Sequence, residues 1–281
     1  MEFRYLGTGA AECWPALFCS CGNCKRALAA GGRNIRSRSQ ALVGDDLLID
    51  LPPDTYLHVL QHGLDLTKIR HILFTHSHED HFYPYDLHRT YPPYAHGELG
   101  GHIEKINIYG NKRIAGYAEQ FENYGDILEF FEVRAFETFG AGRYAITPLA
   151  ADHDFSQDCF IYAIETQGGK KILYANDTGY FPEETWDYLQ KNPGGKKFDF
   201  VSLDTTYGML DSRRGHMGIA AGNETKLRLV EMGAADTGTI FCFNHFSHNG
   251  EKTYDELLPI AGEMGFLVSY DGMGVSLCSD T

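Results

Sequence analysis

The chain contains no apolar run approaching the length of a membrane span. Its opening residues, Met1-Glu2-Phe3-Arg4-Tyr5-Leu6, lack the basic flank and long apolar core of a signal peptide. Positive charge is scarce as well. Only 24 Lys and Arg stand against 38 Asp and Glu, and a formal net charge of −14 argues against broad attraction to nucleic acid or an anionic membrane. No linker rich in Pro, Ser or charge interrupts the chain, and there is no internal repeat or low-complexity tract, so a single domain over residues 1–281 is the simplest account. The 7 cysteines are an odd number, and Cys19, Cys21 and Cys24 crowd together, which suits metal binding in a reducing compartment better than a disulfide framework. The expectation is a cytoplasmic protein with a small-molecule substrate and no membrane or nucleic-acid partner; a homodimer is allowed for.

What is present is a core and a cluster of metal ligands. Hydrophobic residues make up 43% of the chain, enough for a sizeable interior. The apolar run Ile72-Leu73-Phe74 leads into Thr75-His76-Ser77-His78-Glu79-Asp80-His81. Alternate side chains of an extended segment share a face, so His76 and His78 can address one ion while Asp80 and His81, past a bend, address another.

Further candidates sit at the ends of other strand-like runs: His153, Asp177, Asp204 and His245. Strand ends of one sandwich can lie along one edge, where residues distant in sequence meet. Strands are expected over Phe3–Leu6, a hairpin over Gln40–Val43 and Leu47–Asp50, and further strands over 69–74, 106–109, 128–133, 144–149, 160–165, 171–175, 198–203, 239–243, 266–269 and 274–277. Helices are expected from Asp54, as N-cap, to Gly63, and over 112–124, 182–190, 219–232 and 254–264. The Tyr-, Pro- and His-rich stretch from Phe82 to Gly101 has no clear period and reads as a loop or lid beside the site. Gly7-Thr8-Gly9 reads as a turn that lets backbone pass close to something.

Imidazole and carboxylate ligands suit Zn, Mn or Fe without choosing between them. Two cations sharing a water lower its pKa enough to supply a bridging hydroxide, which suits hydrolysis of a phosphodiester or a polarised acyl bond. A leaving alkoxide needs a proton, and His216 in Arg213-Arg214-Gly215-His216-Met217-Gly218 is the candidate general acid, with Arg213 and Arg214 as candidate phosphate contacts. The three clustered cysteines are one ligand short of a tetrahedral zinc site, and either Cys13 or His248 can complete it.

The His-x-His-x-Asp-His motif and its later partners resemble the metallo-beta-lactamase superfamily over nearly the whole chain. That resemblance implies an αββα four-layer sandwich and a di-metal hydrolase. It assigns His76, His78 and His153 to one cation, Asp80, His81 and His245 to the other, and Asp177 to both, which places Asp80 in the catalytic set with His216. The cysteine cluster, Gly7-Thr8-Gly9, His216, the His245 and His248 pair and Tyr270-Asp271-Gly272-Met273 look like the family of phosphodiesterase accessory proteins of carbon-phosphorus lyase operons. This closer resemblance implies one structural zinc on Cys19, Cys21, Cys24 and His248, and hydrolysis of small phosphodiesters, cyclic ribose phosphates included. The other readings are a tRNA 3′-processing type of ribonuclease, a lactonase or other acyl hydrolase, and a non-catalytic metal-binding sensor.

Overall fold

The computed structural model describes residues 1–98, 101–124, 127–191 and 195–277. Strand side chains point alternately to opposite faces, and this chain places apolar residues on both. In β1 (Glu2–Gly7), Phe3 and Tyr5 face one core while Leu6 faces another. The hairpin β2 (Gln40–Val43) and β3 (Leu47–Ile49) repeats the pattern: Ala41, Val43, Leu47 and Ile49 point inward, Leu42 and Leu48 outward. A sheet apolar on both faces must be covered on both, and a layered fold follows.

Among the described residues, strands form two seven-stranded sheets. The first runs β14 (Gly274–Ser276), β1, β2, β3, β4 (His71–Leu73), β5 (Ile106–Gly110), β6 (Leu128–Glu132). The second runs β13 (Leu267–Val268), β12 (Ile240–Asn244), β11 (Phe200–Asp204), β10 (Lys171–Ala175), β9 (Phe160–Thr166), β8 (Tyr144–Ala150), β7 (Phe139–Ala141). Each is antiparallel over half its width and parallel over the other, with β3 to β6 parallel in the first and β10 to β13 parallel in the second. Between them lie Phe3, Tyr5, Ile49, Leu73, Tyr162, Ile172, Tyr174 and Phe200.

The helices form the outer layers. Ala27 of α1 (Gly22–Ala30), Trp186 of α4 (Glu183–Lys191), Leu229 of α5 (Ile219–Glu231) and Leu257 of α6 (Tyr254–Glu263) join Leu173, Val201 and Phe241 on the second sheet's outer face. On the first sheet's outer face, Leu48, Ile72 and Ile108 pack with Ile114 of α3 (Lys112–Ala115) and with Val59 of α2 (Thr55–His62). The architecture is the αββα sandwich expected.

Local departures have physical causes. Asp54 precedes α2 but caps nothing, because its carboxylate accepts the Arg38 backbone N–H (2.8 Å) and pairs with that guanidinium. The helix expected over 112–124 breaks at Gly116 into 3₁₀ turns, with Phe121 outside helical φ/ψ. The expected lid is a 3₁₀ helix over Pro84–Thr90 whose Leu87 is buried in the first sheet's outer core with Tyr91 and Ile103 packed beside it; residues 99 and 100 of that stretch lie outside the described residues. Strand β7 was not foreseen. Gly7 behaves as the sequence suggests: a Cβ there would sit 1.9 Å from the Arg38 carbonyl oxygen, so only glycine permits the approach.

A buried polar network ties the N-terminal loop to the C-terminal strand. Asp271 accepts the Thr8 hydroxyl and the Ser37 backbone N–H, each at 2.6 Å. Ser37 Oγ lies 2.7 Å from His58 Nε2, and His58 Nδ1 donates to Gln40 Oε1 at 2.6 Å. Burial holds the His58 imidazolium form down to about pKa 4, against the pull of Asp54. Since an unfolded histidine titrates near 6.5, the unfolded chain binds a proton the folded one refuses, and stability falls as pH drops through that window. Denaturant titrations at pH 7 and pH 5 should show His58→Gln losing about 2 kcal/mol less between the two than the unsubstituted protein; equal losses contradict a buried neutral His58.

Candidate metal centre

Strand β4 ends at Leu73, and the segment Thr75 to His81 turns at the open edge of the sandwich. The turn is anchored by Asp50, just beyond β3, whose carboxylate accepts the Thr75 backbone N–H (2.9 Å). Thr75 Oγ1 in turn lies 3.0 Å from His76 Nδ1, which leaves the buried His76 Nε2 as the nitrogen turned to the neighbouring histidines. His78 Nδ1 approaches it to 2.9 Å, and His153 Nε2 lies 3.4 Å from that same His78 nitrogen. The remaining nitrogens are held from behind: His78 Nε2 by Asp154 (3.2 Å) and His153 Nδ1 by the Gly215 carbonyl (3.2 Å). Three lone pairs therefore converge from His76, His78 and His153.

A second convergence adjoins it. His81 Nε2 lies 3.2 Å from both Asp80 Oδ2 and Asp177 Oδ2, and His245 Nε2 lies 3.1 Å from Asp177 Oδ2. His81 Nε2, Asp177 Oδ2 and His245 Nε2 are buried and make no hydrogen bond. Buried polar atoms are seldom left so, and a shared cation would satisfy all three. The other carboxylate oxygen of Asp177 is 4.0 Å from His153, so this residue sits between the two groups. Backbone geometry supports the focus: Asp50, Asp177 and His245 all have left-handed φ, at 64°, 52° and 62°. Such residues cost on the order of 1 kcal/mol each and persist where surrounding structure enforces them.

The electrostatics call for positive charge. Burial works against ionised Asp177, yet His245 and His81 outweigh it and hold the carboxyl well below its usual range. Burial likewise disfavours cationic His81, but Asp177, Asp80 and Asp50 raise it well above the ordinary imidazole value.

His216 stands beside these groups, 4.8 Å from the His153 ring and stacked on His245 at 5.5 Å. Its Nδ1 donates to Asp204 Oδ2 (3.0 Å), leaving Nε2 as the nitrogen available to a cavity of about 240 Å³. Burial would lower His216, but the Asp204 carboxylate overcomes it and lifts the group to about 9. Asp204, read from sequence as a candidate ligand, groups with His216 and His245 and also accepts backbone N–H groups from Asp177, Thr206 and Met217.

The family model described as "Beta-lactamase superfamily domain" matches residues 47–238. The chain belongs to the metallo-beta-lactamase superfamily. No curated protein matches its sequence significantly. Among solved structures, a diphosphatase of the PhnP family superposes with a TM-score of 0.73 at 19% identity, over 98% of this chain and 97% of its own. Zn²⁺-bound PqqB from Methylobacterium extorquens gives 0.68 at 18% identity, over 99% and 100%. Human short-form tRNase Z gives 0.65 at 17% identity, over 99% and 100%. These likenesses establish the sandwich fold.

A second cluster on this superfamily chain forms where the loop preceding α1 and the first turn of that helix meet the segment after β12. Cys19 Sγ and Cys21 Sγ lie 3.5 and 3.4 Å from His248 Nδ1, and Cys24 Sγ completes a group whose atoms fall within 4.8 Å of one another. Cys13 is elsewhere, against Asp54 (3.6 Å), so of the two candidates for fourth ligand only His248 joins the thiols. Contact with His248 draws the Cys21 thiol down to about 6.

Two sequence expectations fail at the site. Arg213 pairs with Glu224 (2.7 Å) and Arg214 with Asp152 (3.0 Å), and neither lines the cavity. Among the described residues, none of 82–98 lines it either, because that segment is committed to the first sheet's outer core. Asp50 and Thr206 were missed as organisers. Asp50 holds His81 Nδ1 at 2.8 Å, and its signal was a carboxylate closing the strand-like run Leu47-Leu48-Ile49. Replacing Asp50 by Asn removes the charge that orients His81, and divalent-metal affinity, measured by chelator competition, should fall about 10- to 100-fold while circular dichroism is retained; unchanged affinity contradicts the assignment.

Proposed function

We propose that the protein is a metal-dependent phosphodiesterase acting on small phosphodiesters, cyclic ones included. The observation that carries this reading is the His216–Asp204 pair set against the histidine and aspartate cluster. His76, His78 and His153 would hold one divalent cation, Asp80, His81 and His245 a second, and Asp177 would touch both. Zn, Mn and Fe all fit such donors. Bound there, two cations supply an activated water and offset charge gathering on the phosphate oxygens. Cys19, Cys21, Cys24 and His248 have the composition of a closed, structural zinc site.

The chain's own residues supply the remaining steps. The diester and one water become a phosphomonoester and an alcohol: a new P–O bond forms from water as the P–O bond to the leaving alkoxide breaks. His216, charged through its contact with Asp204, gives its Nε2 proton to that leaving oxygen. Asp204 keeps Nδ1 protonated and the ring oriented, and Thr206 Oγ1 accepts from His245 Nδ1 at 2.7 Å, holding the neighbouring imidazole. A cavity of about 240 Å³ favours a compact substrate over a folded RNA, and the net charge of −14 points the same way.

Ligands from both sheets meet at this one edge, which supports reading residues 1–281 as a single domain. The grouping of Cys19, Cys21 and Cys24 with His248, which suits metal binding, supports a reducing, cytoplasmic setting. None of the described helices is long and apolar enough to cross a membrane.

A general acid matters most for a poor leaving group. In metal-loaded His216→Gln, hydrolysis of an alkyl diester should fall about 10²- to 10⁴-fold, while a bis(p-nitrophenyl) diester, whose phenolate leaves unaided, should lose about tenfold or less. Equal losses on both, or none on either, contradict the acid role.

A further inference from the structure

Glu12 lines the cavity with Ala10, Ala11, Tyr207 and Asn249, and neither the superfamily motif nor the proton-transfer scheme uses it. Its carboxylate is fixed in place. One oxygen, Oε1, accepts the Ser247 hydroxyl and lies 3.7 Å from His248 Nε2, the imidazole whose other nitrogen faces the cysteines. Ser247 is itself anchored, its Oγ accepting the Asn249 backbone N–H at 3.1 Å. Oε2 remains for whatever enters, and the side chain is 31% exposed.

Among the described residues, no Lys or Arg side chain lines the cavity. The guanidinium that reaches its backbone, Arg38, bonds the Ala11 carbonyl (2.8 Å) and pairs with Asp54 (3.2 Å). Asp80 and Asp177 already offset half the charge of two divalent cations, and Glu12 adds a third carboxylate. The scissile phosphate can be neutralised at the histidine cluster, but at the Glu12 side of the cavity a second anionic group on the substrate would meet a carboxylate and, among the described residues, no Lys or Arg side chain.

We propose that Glu12 is a specificity-determining residue that selects diesters whose spectator arm is non-anionic and donates hydrogen bonds, and rejects arms bearing a second negative charge. The inference rests on the phosphodiesterase reading above. Tyr207 also lines the cavity, its ring 6.0 Å from that of His216.

The test is a set of p-nitrophenyl phosphodiesters differing only in the second arm: 2-hydroxyethyl, 2-aminoethyl and 2-carboxyethyl. The metal-loaded protein should favour the first two over the third by about tenfold or more in kcat/KM. In Glu12→Gln the carboxyethyl diester should gain about tenfold and the other two lose about threefold. Calorimetric Kd values for the matching non-hydrolysable phosphonates should follow the same order. A carboxylate that serves only His248 predicts the reverse: metal lost from the cysteine cluster in Glu12→Gln with arm preference unchanged, which overturns the proposal. If none of the three diesters is turned over, the phosphodiesterase reading fails, and the order of phosphonate affinities still decides the role of Glu12.

Discussion

Three buried atoms, His81 Nε2, Asp177 Oδ2 and His245 Nε2, come together without a hydrogen bond among them. An unsatisfied buried polar group costs about 1–3 kcal/mol, so this edge is a local minimum of stability that the surrounding sandwich must enforce. The enforcement is visible from behind. Asp50 and Asp204, both fully buried, hold His81, His216 and the turns that carry Thr75, Asp177 and Met217. One carboxylate lies just past the first sheet's β3 and the other ends the second sheet's β11, so the two halves of the fold each contribute a clamp. The left-handed backbone at Asp50, Asp177 and His245 belongs to the same device, turning each chain sharply as it leaves its strand.

The layered core explains why such an edge holds its shape. Aromatic rings from both sheets interlock beneath it, with Phe3 packed edge-on or tilted against Tyr5, Tyr174 and Phe200, and the hydroxyl of Tyr162 bonding the Phe74 carbonyl just before the histidine motif. Packing of this density transmits small shifts, so ligand positions are fixed by contacts well below the cavity. The cysteine cluster acts from the other side. Through His248 and Ser247 it sets the loop that follows His245 and, with it, the carboxylate of Glu12 at the cavity wall.

The histidine motif, His153, Asp177 and His245 were legible in the sequence because each follows an apolar run, and apolar runs mark strands that end at an edge. Residues 40–49 were read from sequence only as a hairpin, and the layered sandwich came from the family resemblance; that Ala41 and Val43 face one core and Leu42 the other is seen in the structure. What was not legible was the direction in which polar side chains point. Asp204 closes its strand as Asp177 follows its own, yet Asp204 accepts backbone N–H groups beside His216 and His245, while Asp177 lies between the two groups of histidines. The stretch after His81 misled for a related reason. Its prolines and tyrosines suggested a loop over the site, whereas Leu87 and Phe82 are apolar enough to commit the segment to the outer core. Arg213 and Arg214 followed charge rather than substrate, drawn to Glu224 and Asp152.

On the function proposed above, the strand-end edge would hold two divalent cations around Asp177, separate from the cysteine cluster. Elemental analysis of the protein after metal loading and desalting, alongside Cys21→Ser and Asp177→Ala, tests it most directly. Three metals per chain are expected in the unsubstituted protein, two in Cys21→Ser, and at most two in Asp177→Ala with the cysteine-bound metal retained. A single metal in Cys21→Ser, or metal content indifferent to Asp177, would contradict the two-cation edge.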